Sequence, residues 1–277
     1  MYLDYWQLDA KPFEPHCEPA FVYAPAAHHA ALHKLRYAIE NRRAAGVVAG
    51  PAGSGKTLLV ELLRRSLDAS CQPLVQIVFP QMTERDLLVY LAEHLGAPPA
   101  DPPRYTVEES LRRLEFVLRE NVRRGRHAII VIDEAHLLED TGLMEPLRLL
   151  LNLTVEGAAG FTLLLVGQPG LLPMVGRHGA LDQRLDVKAF LPTFSPEETA
   201  AYVRHRLDAA GATREIFGEL ALLTVHQLSG GVPRRINRLC DLALLVGYAN
   251  GDQVIAPADL HAVHDELVAV TPTAAAA

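Results

Sequence analysis

Two short stretches of this chain hold residue types that do chemistry on phosphate. The first reads Gly50-Pro51-Ala52-Gly53-Ser54-Gly55-Lys56-Thr57, the G-x-x-x-x-G-K-[ST] spacing. In that pattern glycines let successive backbone N–H groups turn toward an anion, the lysine reaches the β/γ-phosphates and the hydroxyl faces Mg²⁺. The loop residues Gly50, Pro51, Ala52, Gly53, Ser54, Gly55, Lys56, Thr57 and Leu58 are therefore expected to line a nucleotide's phosphates. A helix starting near Lys56 would aim the positive end of its dipole at the same anion. The second stretch, His127-Ala128-Ile129-Ile130-Val131-Ile132-Asp133-Glu134-Ala135-His136, is a continuous apolar run closed by two adjacent carboxylates. Asp133 at a strand tip would hold Mg²⁺ together with Thr57, and Glu134 would polarise an attacking water.

These residues need strands and helices in alternation to bring them together. Apolar runs at 45–49, 73–79, 127–132, 161–167 and 185–191 read as strands, and the segments 58–67, 84–95, 107–123, 143–155 and 171–177 carry helical periodicity. This βα order produces a parallel sheet flanked by helices, an α/β fold. Helix starts are marked by Thr106 with Glu109 and by Ser195 with Glu198, two capping boxes, the second with Pro196 at the first helical position. Beyond Pro192 the pattern changes to helices alone, at 197–210, 218–228, 234–248 and 257–268. The expected organisation is a nucleotide-binding domain over 1–192 with an N-terminal strap at 1–25, a helical lid over 193–270 and a frayed alanine-rich tail at 271–277.

Composition sets outer limits. The net charge of −7 does not imply a general electrostatic grip on nucleic acid. No apolar stretch approaches the roughly 18 residues needed to span a bilayer. The opening Met-Tyr-Leu-Asp-Tyr-Trp lacks the basic and apolar regions of a secretory signal, so a cytoplasmic location is expected. Cys17, Cys71 and Cys240 have no metal-like spacing and read as reduced thiols. Asp133-Glu134-Ala135-His136 also invites a helicase reading, but that needs arginine-bearing motifs on a second such domain, and the segment after His136 is too short and too helical for one.

Residues 229–241, Ser-Gly-Gly-Val-Pro-Arg-Arg-Ile-Asn-Arg-Leu-Cys-Asp, resemble the lid motif of the ExeA-type ATPases associated with general secretion, within the AAA+ branch of P-loop proteins. Further pieces of that pattern occur in order: Tyr5-Trp6-Gln7-Leu8 with Pro12-Phe13, Phe21-Val22-Tyr23, Leu35-Arg36-Tyr37-Ala38-Ile39, Val166-Gly167-Gln168-Pro169 and Gln183-Arg184-Leu185. Transposition ATPases of the TniB and TnsC sort share this core. The resemblance implies ATP as the nucleotide, Mg²⁺ as cofactor, and a homo-oligomer formed in ATP. It implies a secretion or cell-envelope protein as partner or, on the transposition side, ATP-gated DNA binding. It makes Arg234 a sensor arginine for the γ-phosphate. Gln168 becomes either a polar sensor of the attacking water or a turn cap. Arg184, with Arg177 second, becomes a finger supplied to a neighbouring subunit or a surface ion-pair residue. Tyr5, Trp6 and Phe13 either cover the adenine or strap the core.

Overall fold

The computed structural model describes residues 2–14, 18–78, 80–98 and 105–269; Cys17, Phe79 and the tail 271–277 lie outside them. By packing the chain divides into two units. One consists of Ala27–Pro51 and Lys56–Leu191; the other comprises the described residues of Met1–Ala26, Ala52–Gly55 and Pro192–Ala277.

The first unit contains helix α2 (Ala26–Glu40), strand β1 (Ala45–Ala49), α3 (Lys56–Ser66), β2 (Leu74–Ile77), α4 (Glu84–His94), α5 (Val107–Arg123) and β3 (Ala128–Ile132). It continues through α6 (Leu138–Thr141), α7 (Met144–Leu150), the short strands β4 (Thr154–Val155) and β5 (Ala158–Ala159), β6 (Phe161–Gly167), α8 (Leu171–Arg177), α9 (Gly179–Asp182) and β7 (Leu185–Phe190). Five strands form one parallel sheet in the order β2-β3-β6-β1-β7. Strands β1, β3 and β6 are buried along their whole length, which is why each is an unbroken apolar run: helices cover both faces. Edge strand β7 alternates buried and exposed residues instead. Leu91, Leu114 and Leu118 pack with Ile130, Ile132 and Leu163 on one face. Leu35, Ile39 and Leu63 pack with Ile129, Val131 and Leu164 on the other. Because the strands are parallel and β1 runs in register with β6 (Ala49 beside Gly167), the residues that follow β1, β3 and β6 emerge at one end.

The expected helix at 143–155 is shorter. It stops at Leu150, and Thr154–Val155 pairs antiparallel with Ala158–Ala159. The β-branched Thr154-Val155 pair favours strand, and the intervening Glu156 and Gly157 both adopt the left-handed backbone a tight hairpin requires.

The second unit contains α1 (Tyr2–Trp6) and four longer helices, α10 (Pro196–Ala209), α11 (Glu219–Ser229), α12 (Pro233–Asn250) and α13 (Pro257–Ala269). Ser195 closes a full capping box with Glu198 at the start of α10. The opening aromatics belong to this unit's core. Trp6 is fully buried, its Nε1–H donates to the Leu244 carbonyl at 2.8 Å, and Phe13 is buried as well. That placement corrects the adenine-cover alternative for Trp6 and Phe13: both are committed to packing. Arg206, which the pattern did not single out, is 4% exposed and ties the same segment down by donating from Nε to the Pro12 carbonyl and from Nη2 to the Glu14 carbonyl.

Candidate nucleotide site

The turn after β1 is shaped by glycine. Gly53 (φ +81°) and Gly55 (φ +93°) occupy left-handed backbone, which side-chain-bearing residues rarely adopt. The Gly50 N–H donates to the Gly167 carbonyl at 3.2 Å, fixing the start of the turn to the tip of β6. Lys56 opens α3 and is only 6% exposed; its Nζ donates to the Gly50 and Pro51 carbonyls, each at 2.9 Å. The ammonium is thus held back across the loop from which it came.

Thr57, next on α3, donates from Oγ1 to Asp133 Oδ2 at 3.4 Å. Asp133 follows β3 and is 4% exposed. Its N–H extends the β2–β3 ladder to the Ile77 carbonyl (2.8 Å), its Oδ1 accepts from the Glu134 N–H (2.9 Å), and Gln76 Nε2 donates to Oδ2 at 3.5 Å. Glu134 takes φ +50°, ψ +34°, a left-handed conformation costly for a residue with a side chain. Its carboxylate remains 44% exposed, with Oε2 at 3.4 Å from His136 Nδ1. Gln168, just past β6, is exposed, and its backbone N–H donates to the same His136 Nδ1 at 3.4 Å.

The first unit therefore brings Lys56, Thr57, Asp133, Glu134 and Gln168 to one end of the sheet. It does not bring Arg184 there. Arg184 precedes β7, whose first residue pairs with Ala45 at the opposite end. Its Nη1 donates to the Leu151 carbonyl at 2.8 Å and its Nη2 to Asn152 Oδ1. Arg177 is ion-paired with Glu139 at 2.5 Å. In the second unit Arg234 is the second residue of α12, and its N–H donates to the Gly53 carbonyl at 3.3 Å. A Cβ on Gly53 would lie 2.8 Å from the Arg234 Cβ, a second reason for glycine there. Two residues escaped the pattern reading. Gln76 is the polar exception in the run Leu74-Val75-Gln76-Ile77, and His136 lies inside a motif read only for its carboxylates.

The donor set can be tested against the groups it implies. Thr57 Oγ1 and Asp133 offer oxygen alone, suited to a hard divalent cation, and the described residues contain no cluster of three or more His, Cys, Asp or Glu that would cage one. Such a sparse set fits Mg²⁺, which takes one or two protein oxygens and completes its shell with water and phosphate. The glycine turn, the buried ammonium and the N-terminus of the 11-residue α3 suit a polyphosphate.

Residues 39–175 match the AAA domain family. Among solved structures, the chain is similar in fold to the ORC2 protein of Aeropyrum pernix, in its ADPNP-ADP complexes, with a TM-score of 0.69 and 15% identity over 93% of this chain and 71% of that one. Cdc6p of Pyrobaculum aerophilum gives 0.65 and 17% over 89% and 70%. The Thermotoga maritima RuvB Holliday junction branch migration motor gives 0.60 and 17% over 92% and 73%. The fold is that of the AAA+ P-loop NTPases.

In sequence the chain is similar to General secretion pathway protein A of Aeromonas hydrophila, 33% identical over 267 residues. The match takes in 94% of this chain but 47% of that protein, so the chain spans about half the length of the curated relative. No helix among the described residues is long and apolar enough to cross a membrane.

Proposed function

We propose that the chain binds ATP with Mg²⁺ and hydrolyses it, acting as an oligomeric switch or motor in secretion-related assembly. The observation that carries this reading is the convergence of Lys56, Thr57, Asp133 and Glu134 on one end of the sheet. Lys56 and the N–H groups of 50–58 bind the phosphates and neutralise their charge. Thr57 and Asp133 hold the metal, which when bound supplies electrostatic stabilisation of the transferring phosphoryl group. Glu134, exposed beside them, orients water and takes its proton. Gln168 and Arg234 are assigned, from the resemblance, to sensing the water and the γ-phosphate.

Arg184 is assigned to a neighbouring copy's site. Its position at the far end of the sheet from its own Lys56 supports action in trans, and its hydrogen bonds to Leu151 and Asn152 are what assembly would exchange. A cytoplasmic location accords with two buried free thiols, Cys71 and Cys240.

Phosphate release with Mg²⁺, against a chelated control, tests hydrolysis; absence of turnover at every protein concentration rejects it. A mixture of Arg184→Ala and Glu134→Gln tests assembly. Each variant alone is expected to be inactive, while interfaces pairing the intact Glu134 of one with the intact Arg184 of the other recover turnover. No recovery, with a monomer in ATP by sedimentation, removes the trans role.

A further inference from the structure

We propose that His136 is the positioning residue for the Glu134 carboxylate, trading a single hydrogen bond between that carboxylate and the main chain of Gln168. The inference rests on the hydrolytic reading above and adds a part to it. His136 Nδ1 lies 3.4 Å from Glu134 Oε2 and 3.4 Å from the Gln168 backbone nitrogen. These neighbours make opposite demands on one atom. The Gln168 N–H needs a lone pair at Nδ1, whereas the carboxylate needs an N–H there.

Nδ1 therefore serves one of them at a time. With the proton on Nε2, it accepts from Gln168 and turns a lone pair toward Glu134, repelling the carboxylate. With a proton on Nδ1, it donates to Glu134 and releases Gln168. Both separations are longer than the 2.9 Å at which the Glu134 N–H meets Asp133, as suits an atom shared between two partners.

The surroundings hold the ring in this place. A Cβ on Gly167 would lie 3.1 Å from the His136 backbone nitrogen and 3.3 Å from its Nδ1, so glycine at 167 lets the ring sit close against β6 and any side chain there would crowd it. Glu134 is fixed in left-handed backbone, which leaves its side-chain torsions as the means of moving the carboxylate. The arrangement links the direction of the proposed base to the tip of the strand bearing the proposed water sensor.

The test uses the full chain and measures ATP affinity and kcat separately. His136→Ala is expected to leave the ATP Kd within about twofold and lower kcat about 10- to 100-fold, the range found when a partner that orients a reacting group is lost. His136→Asn sets amide atoms where Nδ1 stood and is expected to restore most of the rate. His136→Gln reaches toward the Nε2 position and is expected not to. A merely structural role would not separate Asn from Gln, and thermal unfolding of each variant confirms that it folds. Wild-type kcat in His136→Ala, or equal rescue by Gln and Asn, overturns the proposal. A wild-type chain that binds ATP without turning it over defeats the parent reading instead. Turnover that depends on Glu134 but not on His136 defeats this one alone.

Discussion

Strand β3 is flanked by two buried ionisable residues, His127 before it and Asp133 after it, 2% and 4% exposed. Their hydrogen bonds differ. The Thr162 hydroxyl donates to the Arg43 carbonyl at 2.7 Å, so the contact between His127 Nε2 and Thr162 Oγ1 at 2.8 Å has the imidazole as donor. Burial first, and Arg42 nearby second, push the His127 pKa down to about 4, so the ring is neutral and structural. Asp133 instead meets Thr57 and Gln76 at 3.4 and 3.5 Å, loose contacts that leave its oxygens capacity for a cation. At the end where the strands begin, His127 Nε2 and the Thr162 hydroxyl bond within the fold, and His127 Nδ1 is buried without a hydrogen-bond partner. At the end where they finish, the loops diverge and polar groups can face a ligand. Variants at the first end should therefore change stability and spare nucleotide binding, and variants at the second end should do the reverse.

The largest expected effect is at the ligand-facing end. Lys56→Ala removes the buried charge proposed to face phosphate and should weaken ATP binding by about 2–5 kcal/mol, roughly 30- to 4,000-fold, with little change in unfolding. Calorimetric titration measures this, and near-normal affinity would erase the distinction between the two ends. Next comes the pH response of His127. The unfolded chain takes up its proton near pH 6.5, while the folded chain resists it until about pH 4. Between those values the unfolded state binds more protons, so stability falls as pH drops, by up to about 3 kcal/mol. Urea unfolding across this window should show the slope, and His127→Gln should flatten it without altering ATP affinity. The smallest effect is expected for Gly167→Ala. Its Cβ would come within 3.0 Å of Leu171 Cδ2 and 3.1 Å of the His136 nitrogen. Overpacking of that kind costs about 1–3 kcal/mol. It should also slow turnover, because the crowding falls on His136; a purely thermal effect would place Gly167 with the structural end.

Much of the ligand-facing end was legible from local sequence, because a phosphate loop needs glycines at fixed offsets and a buried parallel strand needs an apolar run ending at its carboxylate. The order of the fold came from the same alternation of runs. What escaped depends on contacts between distant segments. The hairpin at 154–159 broke a helical period that ends at Leu150. Trp6 reads as either an adenine cover or a core strap until its N–H is seen on Leu244, 238 residues away. Arg206 looks like one more charged helix residue, yet it bonds the carbonyls of Pro12 and Glu14. His136 lies within the motif, but its role depends on β6, a strand that begins 25 positions later at Phe161.

In the proposed reaction this end of the sheet binds ATP and Glu134 then drives its hydrolysis. That reaction is tested most directly by measuring ATP affinity and phosphate release side by side for the wild-type chain and Glu134→Gln. The amide keeps the side chain's shape and leaves Asp133 and Thr57 untouched, but it cannot take a proton from water. The expected result is an ATP Kd within a few-fold of wild type with release slowed by about 10²- to 10⁴-fold. Wild-type release from the Gln variant would show that another group positions the water and that Glu134 is not the base.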